Sequence, residues 1–476
     1  MRTRGAGPIS GSDFLQLRPD TAPAKGLTAW LTDGLRAAVT AGRLVPGDRL
    51  PATRTLSEEL GISRGVVVQA YQRLADEGIA AARTGSGTVI TGRPETRRPA
   101  VDRRQTLDEL RLPLSTPDGI DLNLSPGVPD LSAFPRAAWL RAERTVLGGV
   151  THADLGYGDP GGVPRLRAAL VGWLARTRGI RAEADDVVVT AGVAQGLALL
   201  ARVLRAEGVT EIGVEDPGSR GATDQIAYWG ARPIGVPVDE EGIRTDALTG
   251  LEAVLLTPAH QFPTGVVLSP ERRRALLAWP GLIIEDDYDA EHRYDRSPVA
   301  AIQGSAPERV AYLGSVSKSL APGMRLGWLV APRRMQGALL AAKHAADLGN
   351  PALPQLVLAE LLTSGDYERH LRAVRERQRR RRDALLGALR THLPGSRVTG
   401  VAAGLHLLVM LEGYGDTPDT VLAERIAATG VLVHPLTWHR QRPGPPGLVI
   451  GYAAHPPDRL IEAAARMGAA LSPPSR

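Results

Sequence analysis

Residues 314–325 read Gly-Ser-Val-Ser-Lys-Ser-Leu-Ala-Pro-Gly-Met-Arg and follow residues 310–313, an apolar run that predicts a buried strand. Their lysine, Lys318, is one of only three in a chain with 57 lysines and arginines. Arginine can replace lysine in surface charge and phosphate binding, but it cannot form a Schiff base with a carbonyl. Lys318 is therefore a candidate imine-forming residue, with an exposed, solvated lysine as the alternative.

Further short β-rich runs predict more strands, and helical stretches separate them. They cover residues 187–189, 212–214, 254–256 and 283–284. Strands that alternate with helices indicate an α/β unit built on a large, mostly parallel sheet. Ligands of such sheets collect at the carboxyl ends of the strands, and the polar motifs of this chain follow predicted strands.

The residues around Lys318 meet the needs of pyridoxal 5'-phosphate (PLP). This cofactor requires a lysine for its aldehyde, an acid at its pyridine nitrogen, a donor to its ring oxygen and an anion clamp for its phosphate. Lys318 would form the internal aldimine. Asp286 and Tyr288, in Glu-Asp-Asp-Tyr-Asp after the strand at 283–284, would serve the nitrogen and the ring hydroxyl. A strand-end acid that caps a helix or binds an arginine is the alternative for Asp286.

A phosphate clamp is predicted from two segments. Ser315, Ser317 and Arg325 offer hydroxyls and a guanidinium that can bind phosphate bidentately. In Ala191-Gly192-Val193-Ala194 a glycine turn follows a predicted strand and opens a helix, so the free amides of Val193 and Ala194 would face the same phosphate. An ordinary turn before a helix is the alternative.

The N-terminal part of the chain predicts a small DNA-binding unit. Its expected elements are three helices over residues 27–39, 53–60 and 63–77, and two strands over 79–83 and 88–91. Thr53 and Ser63 are the expected caps of the second and third helices. Two short helices joined at Gly61 are typical of a helix-turn-helix, and the hairpin after them would form a wing.

Residues 49–90, RLPATRTLSEELGISRGVVVQAYQRLADEGIAAARTGSGTVI, resemble the winged helix-turn-helix of the GntR family of transcription regulators. The resemblance implies double-stranded operator DNA as a partner. The residues it places at the DNA are Arg54, Ser63, Arg64 and Gly65, with Thr84 and Gly85 at the tip of the wing. Arg64 is the expected base reader, because a guanidinium can bond a guanine edge bidentately. A solvated arginine at a helix end is the alternative.

Residues 122–470 resemble fold-type I aminotransferases, and nearly the whole chain resembles the MocR/GabR regulators. The stretches that carry this resemblance include SPGVPDLSAFPRAAW, YGDPGGVPRLRAALVGWLARTRG and TPAHQFPTG. The resemblance implies a head-to-tail homodimer in which Tyr157 reaches the phosphate of the neighbouring subunit's cofactor. It also makes His260, in the last stretch, a candidate contact near the cofactor's ring oxygen.

The chain departs from this family pattern at two positions. Relatives usually carry Glu-Asp-Pro-Gly-Tyr, whose ring covers the cofactor face, but this chain has Ser219 at the last position. Amino-acid-sensing relatives carry an arginine for the ligand's α-carboxylate at about the place of Val449. Losing that contact would forfeit about 1.5–3 kcal/mol, so efficient transamination is not expected. Arg220 or His439 could substitute for the missing arginine.

Composition places the DNA-binding function at one end of the chain. The formal net charge of +6 lies in residues 1–104, where 16 basic residues face 10 acidic ones. There is no cysteine, which excludes disulfides and thiolate chemistry. Neither a signal core nor a long apolar run appears, so we expect no membrane association and a cytoplasmic location.

The expected organisation has four parts. They are a flexible arm at 1–26, the winged helix-turn-helix at 27–91, a linker at 92–118 and the aminotransferase-like domain at 119–472. The predicted function is a transcription regulator that binds PLP and senses a small-molecule effector. The effector is either an amino compound or PLP itself, as in control of vitamin B6 synthesis. We expect at most weak residual catalysis, and an active aminotransferase with an appended DNA-binding domain is the alternative.

Overall fold

The computed structural model describes residues 17, 25–83, 87–92, 118–294, 299–400, 402–415 and 417–471. The chain divides into two compact units, residues 1–114 and 115–476. Within the described residues, no helix is both long enough and apolar enough to cross a membrane.

Three helices and a hairpin form the N-terminal unit. They are α1 (Leu27–Thr40), α2 (Thr53–Leu60), α3 (Arg64–Asp76), β1 (Ala80–Arg83) and β2 (Gly87–Ile90). The two strands pair antiparallel, so the predicted helix-turn-helix and wing are both present. Gly61 ends α2 at a φ of 62°, in the left-handed region that favours glycine.

The predicted capping in this unit is wrong in detail. Thr53 is the first residue of α2, and Ala52 occupies the cap position. Ser63 does occupy the cap position of α3, but its side chain makes no capping hydrogen bond. The helices are held instead by a shared apolar core, to which Leu35, Leu56 and Leu74 contribute fully buried side chains.

The second unit alternates strands and helices along most of its length. Its helices are α4 (Arg136–Gly149), α5 (Pro164–Arg178), α6 (Val193–Ala206), α7 (Arg220–Tyr228), α8 (Pro270–Ala278), α9 (Arg333–Asp347), α10 (Ala352–Thr363), α11 (Asp366–His392), α12 (Asp419–Ala427) and α13 (Pro457–Leu471). Its strands are β3 (Leu122–Asn123), β4 (Val187–Thr190), β5 (Glu211–Asp216), β6 (Arg232–Asp239), β7 (Gly242–Ile243), β8 (Ala253–Leu256), β9 (Leu282–Asp286), β10 (Val310–Ser315), β11 (Gly327–Val330), β12 (Arg397–Thr399), β13 (His406–Met410), β14 (Val431–Leu432), β15 (His434–Pro435) and β16 (Gly447–Gly451).

An eight-stranded sheet forms the centre of this unit. Its order is β4-β11-β10-β9-β8-β5-β6-β7, and the run from β10 to β6 is parallel. The mostly parallel sheet was therefore predicted correctly, and all five predicted strands lie in it. Strand β11 runs antiparallel between β4 and β10. Trp328 and Leu329 are consecutive residues of β11, and their side chains belong to two different apolar clusters. Both faces of the sheet are therefore buried under helices.

A smaller four-stranded sheet follows the long helix α11. Its order is β12-β13-β16-β15, and α12 and α13 pack with it around a third apolar cluster. The short strand β3 pairs in parallel with β14 of this part. Both ends of the second unit's chain therefore contribute to the same core.

The Arg-rich run 369–382 lies on α11, where its arginines divide between an exposed side and a buried side. Arg379 and Arg380 are exposed and pair with Glu376. Arg381 is buried, and its Nη1 lies 2.9 Å from Asp130 Oδ2. The imidazole of His370 is also buried, with Nε2 2.7 Å from the Ser319 carbonyl. The buried side of α11 thus supports the loop that carries Lys318.

Candidate functional site

Lys318 lies in the turn after β10, at the carboxyl end of the central sheet. Its Nζ donates a hydrogen bond to the carbonyl of Gly127. Burial lowers the pKa of this amine, while the charges of Asp289 and Asp286 oppose that shift. A lowered pKa enriches the free amine, which is the form that attacks an aldehyde.

Asp286 is the last residue of β9, in register with Leu313 of the neighbouring strand. Its Oδ1 is buried and has no hydrogen-bond partner among the described residues. Burial, with the charges of Asp287 and Asp289, raises the pKa of Asp286 to about 7. A protonated pyridine nitrogen would supply both the missing donor and an opposite charge, so this carboxyl fits PLP.

Glu285 and Asp287, the acids on either side of Asp286 in the Glu-Asp-Asp-Tyr-Asp motif, already accept hydrogen bonds from protein groups. Asp287 Oδ2 accepts from Arg178 Nε at 2.6 Å and from the Tyr312 hydroxyl at 2.5 Å. Glu285 accepts from the backbone amide of Ile302 at 2.9 Å. Because these two carboxylates hold the sheet and its flanks together, Asp286 is the member left to face a ligand.

Tyr288 contacts a cluster of buried side chains that was not predicted from the sequence. His260 Nδ1 lies 2.9 Å from Asp289 Oδ2 and 3.1 Å from the Tyr288 hydroxyl. The ring of His406 lies 5.2 Å from that of His260. We call Asp289, His260 and His406 the Asp289 cluster. Burial and the Asp289 charge hold the pKa of Tyr288 well above its ordinary value, so the phenol keeps its proton.

The Asp289 cluster has the composition of a zinc site, with its potential ligand atoms within 4.8 Å of one another. Two ligands of a tetrahedral zinc, each at about 2.0 Å from the metal, would be roughly 3.3 Å apart. His260 Nδ1 and Asp289 Oδ2 are 2.9 Å apart, which is a direct hydrogen bond. We therefore describe the cluster as hydrogen-bonded side chains.

The predicted phosphate clamp is brought together from two distant segments. Arg325 donates from Nη2 to the carbonyl of Ala191, at the turn before α6. A Cβ at Gly192 would lie 3.1 Å from Arg325 Nη1. Val193 and Ala194 form the first turn of α6, where backbone amides have no preceding helical carbonyl to bond.

Ser315 and Ser317 complete this side of the candidate site. Ser315 ends β10, and its Oγ lies 3.4 Å from the Ser317 amide. The hydroxyls, the guanidinium and the helix start would together suit a phosphate dianion. The described residues thus fit PLP at its nitrogen, its ring oxygen, its aldehyde and its phosphate.

Ser219 and Val449, the two residues that depart from the family pattern, each have a structural role of their own. Ser219 occupies the cap position of α7, where its Oγ accepts from the Ala222 amide. Val449 is fully buried in β16, opposite Leu408 and His434. Val449 packs in an apolar cluster with Leu408, Met410 and Leu436, against Phe262. The place expected for a carboxylate-binding arginine is therefore apolar.

The two suggested substitutes lie near each other. Burial lowers the pKa of His439 to about 3, with the nearby charges of His434, His406 and Arg220 adding to the effect. Both ring nitrogens of His439 are buried without a hydrogen-bond partner among the described residues. His439 is therefore a neutral imidazole at pH 7, and Arg220 is the charged group of the two.

Two surface regions carry the remaining predicted residues. Arg54, Ser63, Arg64 and Gly65 are all exposed at the starts of α2 and α3. Arg64 Nε lies 3.3 Å from Thr53 Oγ1, and Arg54 Nε pairs with Glu58 at 3.1 Å. Thr84 and Gly85 fall outside the described residues. In the second unit, the side chain of Tyr157 is 94% exposed.

Two family models match the chain and together span both units. The model "Aminotransferase class I and II" matches residues 120–467. The model "Bacterial regulatory proteins, gntR family" matches residues 28–90.

Curated relatives match over nearly their full length. The HTH-type pyridoxine biosynthesis transcriptional regulator PdxR of Corynebacterium glutamicum is 36% identical, over 93% of this chain and 95% of that protein. The probable rhizopine catabolism regulatory protein MocR of Rhizobium meliloti is 31% identical, over 91% of each chain.

Solved aminotransferase structures match the second unit. Pyrococcus horikoshii kynurenine aminotransferase, in complex with PMP, is 27% identical with a TM-score of 0.68, over 79% of this chain and 95% of that one. LysN, the α-aminoadipate aminotransferase of Thermus thermophilus, is 27% identical with a TM-score of 0.67, over 77% and 94%. With a gntR-type helix-turn-helix ahead of a class I and II aminotransferase domain, the chain belongs to the MocR subfamily of GntR-family transcription regulators.

Proposed function

We propose that this regulator holds PLP as an internal aldimine on Lys318 and changes its binding to operator DNA when the ligand state of that site changes. The observation that carries the proposal is the buried, unpartnered Oδ1 of Asp286, on a carboxyl whose charge acts on Lys318. A buried carboxylate without a partner is costly, and it persists where a ligand supplies the missing donor. A cytoplasmic location follows from DNA as the partner.

Each side chain at the site has a proposed task toward the cofactor. Bound PLP supplies an aldehyde and an electron-withdrawing ring. Asp286 keeps a proton on the ring nitrogen, Tyr288 donates to the ring oxygen, and His260 supports that donor. The phosphate is held by Ser315, Ser317, Arg325 and the amides of Val193 and Ala194.

The DNA contacts proposed for the N-terminal unit rest on the exposure of the start of α3. In a helix-turn-helix, the second helix enters the major groove with its first residues at base edges. Arg64 is proposed to read a base, and Arg54, Ser63 and Gly65 are proposed to contact the backbone beside it. Thr84 and Gly85 are proposed to contact DNA from the tip of the wing.

A head-to-tail homodimer is proposed because large apolar side chains are exposed on one stretch of the second unit. Leu140, Leu147, Leu155 and Tyr157 are each more than half exposed. Clustered exposed apolar side chains favour a partner surface. A second copy that covers this stretch would bring Tyr157 to the partner's phosphate site.

PLP itself is our proposed effector, in preference to a free amino acid. The apolar surroundings of Val449 offer no charge to an α-carboxylate. The relative from Corynebacterium glutamicum is named as a regulator of pyridoxine biosynthesis, which agrees with this choice. An amino compound remains the other candidate, because Arg220 lies near this region and can bind an anion.

Binding to DNA from the gene's own promoter region tests the proposal. Fluorescence anisotropy should detect sequence-specific binding whose affinity depends on PLP, and Lys318→Ala should lose the dependence on PLP but keep the binding. No sequence-specific binding, with or without PLP, would contradict the proposal. For the effector, the absorbance of the PLP-loaded protein should stay unchanged across a panel of amino compounds, and a clear response to one of them would identify that compound instead.

An active aminotransferase is the second candidate function, since Lys318, Asp286 and Tyr288 retain the enzyme-like arrangement. Steady amino-group transfer at roughly 1 s⁻¹ or faster, abolished in Lys318→Ala, would favour it. Our proposal expects turnover far below that rate.

A further inference from the structure

Asp289 lies at the centre of the candidate site, and the proposed function gives it no task. It is buried at the start of the turn after Tyr288, together with His260 and His406. Burial raises the pKa of Asp289, but His260, His406 and His292 outweigh that effect and hold it below its ordinary value. Asp289 is therefore ionised at neutral pH.

The ionised carboxylate fixes where the proton of His260 lies. A carboxylate can only accept hydrogen bonds, so His260 Nδ1, 2.9 Å from Asp289 Oδ2, must carry a hydrogen. The Tyr288 oxygen, 3.1 Å from the same nitrogen, then also faces a donor. Asp289 also accepts a hydrogen bond from the Tyr288 hydroxyl, so the same carboxylate positions this phenol directly and through His260, and the hydroxyl hydrogen can turn to the cofactor's ring oxygen when that oxygen is bound.

Two glycines let the backbone close on this arrangement. Gly404 has a φ of +77°, and a Cβ there would lie 2.6 Å from His260 Nδ1 and 2.7 Å from Asp289 Oδ2. Gly265 has a φ of +72°, and a Cβ there would lie 3.3 Å from His260 Nε2. The imidazole is thus held in one orientation by backbone on two sides.

Asp289 also acts on the amine that defines the site. Two carboxylates favour a positive charge on Lys318, and Asp289 contributes more than Asp286. Asp286 has its proposed partner in the ring nitrogen. Asp289 is the further negative charge that acts on the Lys318 amine.

We propose that Asp289 is a positioning residue that orients Tyr288 through His260 and supplies the negative charge that stabilises a protonated nitrogen on Lys318. The inference rests on the proposed binding of PLP to Lys318 and deepens it. A sensor of this design would adjust, through one carboxylate, how readily the lysine exchanges its bound group, because a Schiff base reacts with amines in its protonated form.

The remaining ionisable groups around Asp289 and Lys318 come from several elements. They are Asp286 on β9, Glu215 on β5, Tyr288 and His292 beside Asp289, His260 after β8, His406 on β13, and Tyr294 and Tyr452. Burial lowers the pKa of His406 to about 3 and that of His292 to about 4, so both stay neutral above pH 5. These two imidazoles cannot account for a change between pH 5.5 and pH 9. Burial raises the pKa of Glu215 and of the cofactor-free Asp286 to about 7, so each variant is compared with a wild type that keeps both carboxyls.

The test is a pH titration of the visible absorbance of the full-length protein loaded with PLP. The protonated and neutral Schiff bases absorb differently, so the midpoint reports the proton on the Lys318 nitrogen. Asp289→Asn should move the midpoint to lower pH, because it removes the stabilising negative charge. Asp419→Asn, another buried carboxylate, is the matched control and should leave the midpoint where the wild type has it.

A second variant keeps the inference testable if Asp289→Asn does not fold or does not bind PLP. His260→Ala removes the donor that partly compensates Asp289, so its midpoint should move to higher pH, opposite to Asp289→Asn. Wild-type midpoints in folded variants, or shifts of both variants in one direction, would overturn the inference. If wild type binds no PLP, the proposed function itself fails, and the inference fails with it.

Discussion

Arg325 and Ala191 are 134 residues apart in the chain, and the guanidinium of one donates a hydrogen bond to the carbonyl of the other. The contact joins the loop after Lys318 to the turn before α6. Gly192 makes the approach possible, since its φ of +87° favours glycine and a Cβ there would lie 3.1–3.2 Å from two guanidinium nitrogens. We expect Gly192→Ala to weaken PLP binding by roughly tenfold or more, the scale of one charged hydrogen bond. Fluorescence titration of the cofactor-free protein measures this.

The matched control is Gly208→Ala, where φ is +94° but a Cβ would meet open space. Both variants place a side chain at a positive φ, so equal losses of PLP affinity would show that the contact with Arg325 is not responsible.

Asp286→Asn should stabilise the cofactor-free protein increasingly as the pH rises. The folded-state pKa of about 7 lies above the ordinary value of 3.8, so the folded state holds its proton more tightly than the unfolded state. The stability this provides is fully present at low pH and is lost as the pH rises through 7. In urea unfolding, the free energy of unfolding of the variant minus that of the wild type should grow by about 2–3 kcal/mol between pH 5 and pH 8.

The same variant should bind PLP poorly, because asparagine cannot carry the charge that faces a pyridinium. Glu252→Gln, which changes an exposed acid, is the matched control for the loss of one carboxylate. A constant difference for Asp286→Asn across this range would contradict a buried, unpaired carboxyl.

Arg178→Ala should lower the free energy of unfolding by about 3–5 kcal/mol, because it leaves the charge of Asp287 buried without its partner. The pair is 2.6 Å apart, with both side chains almost fully buried. Arg244→Ala removes the exposed partner of Asp246 and should leave the free energy of unfolding nearly unchanged, because solvent screens an exposed ion pair. Denaturant unfolding of both variants makes the comparison, and similar losses would argue against a structural role of Asp287.

Arg64→Ala should reduce affinity for operator DNA by about 1–3 kcal/mol and relax discrimination at one base position. Arg73→Ala changes the other end of α3 and should have little effect on base discrimination. Fluorescence anisotropy with the operator, and with operators that carry single-base changes, distinguishes the effects of the two substitutions. If Arg64→Ala weakened binding to all sequences equally, it would instead act as a phosphate contact.

The sequence predicted the parts of the fold that depend on local pattern. The apolar runs at 187–189 and 310–313 are strands because both faces of the sheet are covered, and such strands are continuously apolar. Strand β11 has the same character but was not predicted, because its place between β4 and β10 depends on pairing with distant segments. Propensity alone does not encode such pairing.

The candidate site was predictable where one motif holds neighbouring groups. Asp286 and Tyr288 lie on either side of Asp287 in one turn, and the resemblance to aminotransferases gave them roles. Asp289 stood in the same motif, yet its partners His260 and His406 come from loops and strands far along the chain. Its importance appears only when the fold brings those imidazoles onto one carboxylate. Only the structure distinguishes Asp286, whose Oδ1 has no hydrogen-bond partner among the described residues, from Asp287, which binds Arg178 and Tyr312.

The Lys318 nitrogen that donates a hydrogen bond to the Gly127 carbonyl is also the nitrogen that would form the Schiff base. As a free ammonium the lysine has three hydrogens, but in a Schiff base its nitrogen keeps at most one. Gly127 lies in the segment that follows β3, so a change in what Lys318 binds would release this segment from the turn that carries the lysine. Occupancy of the lysine and the position of the Gly127 segment within the second unit would then be coupled by a competition for one amine.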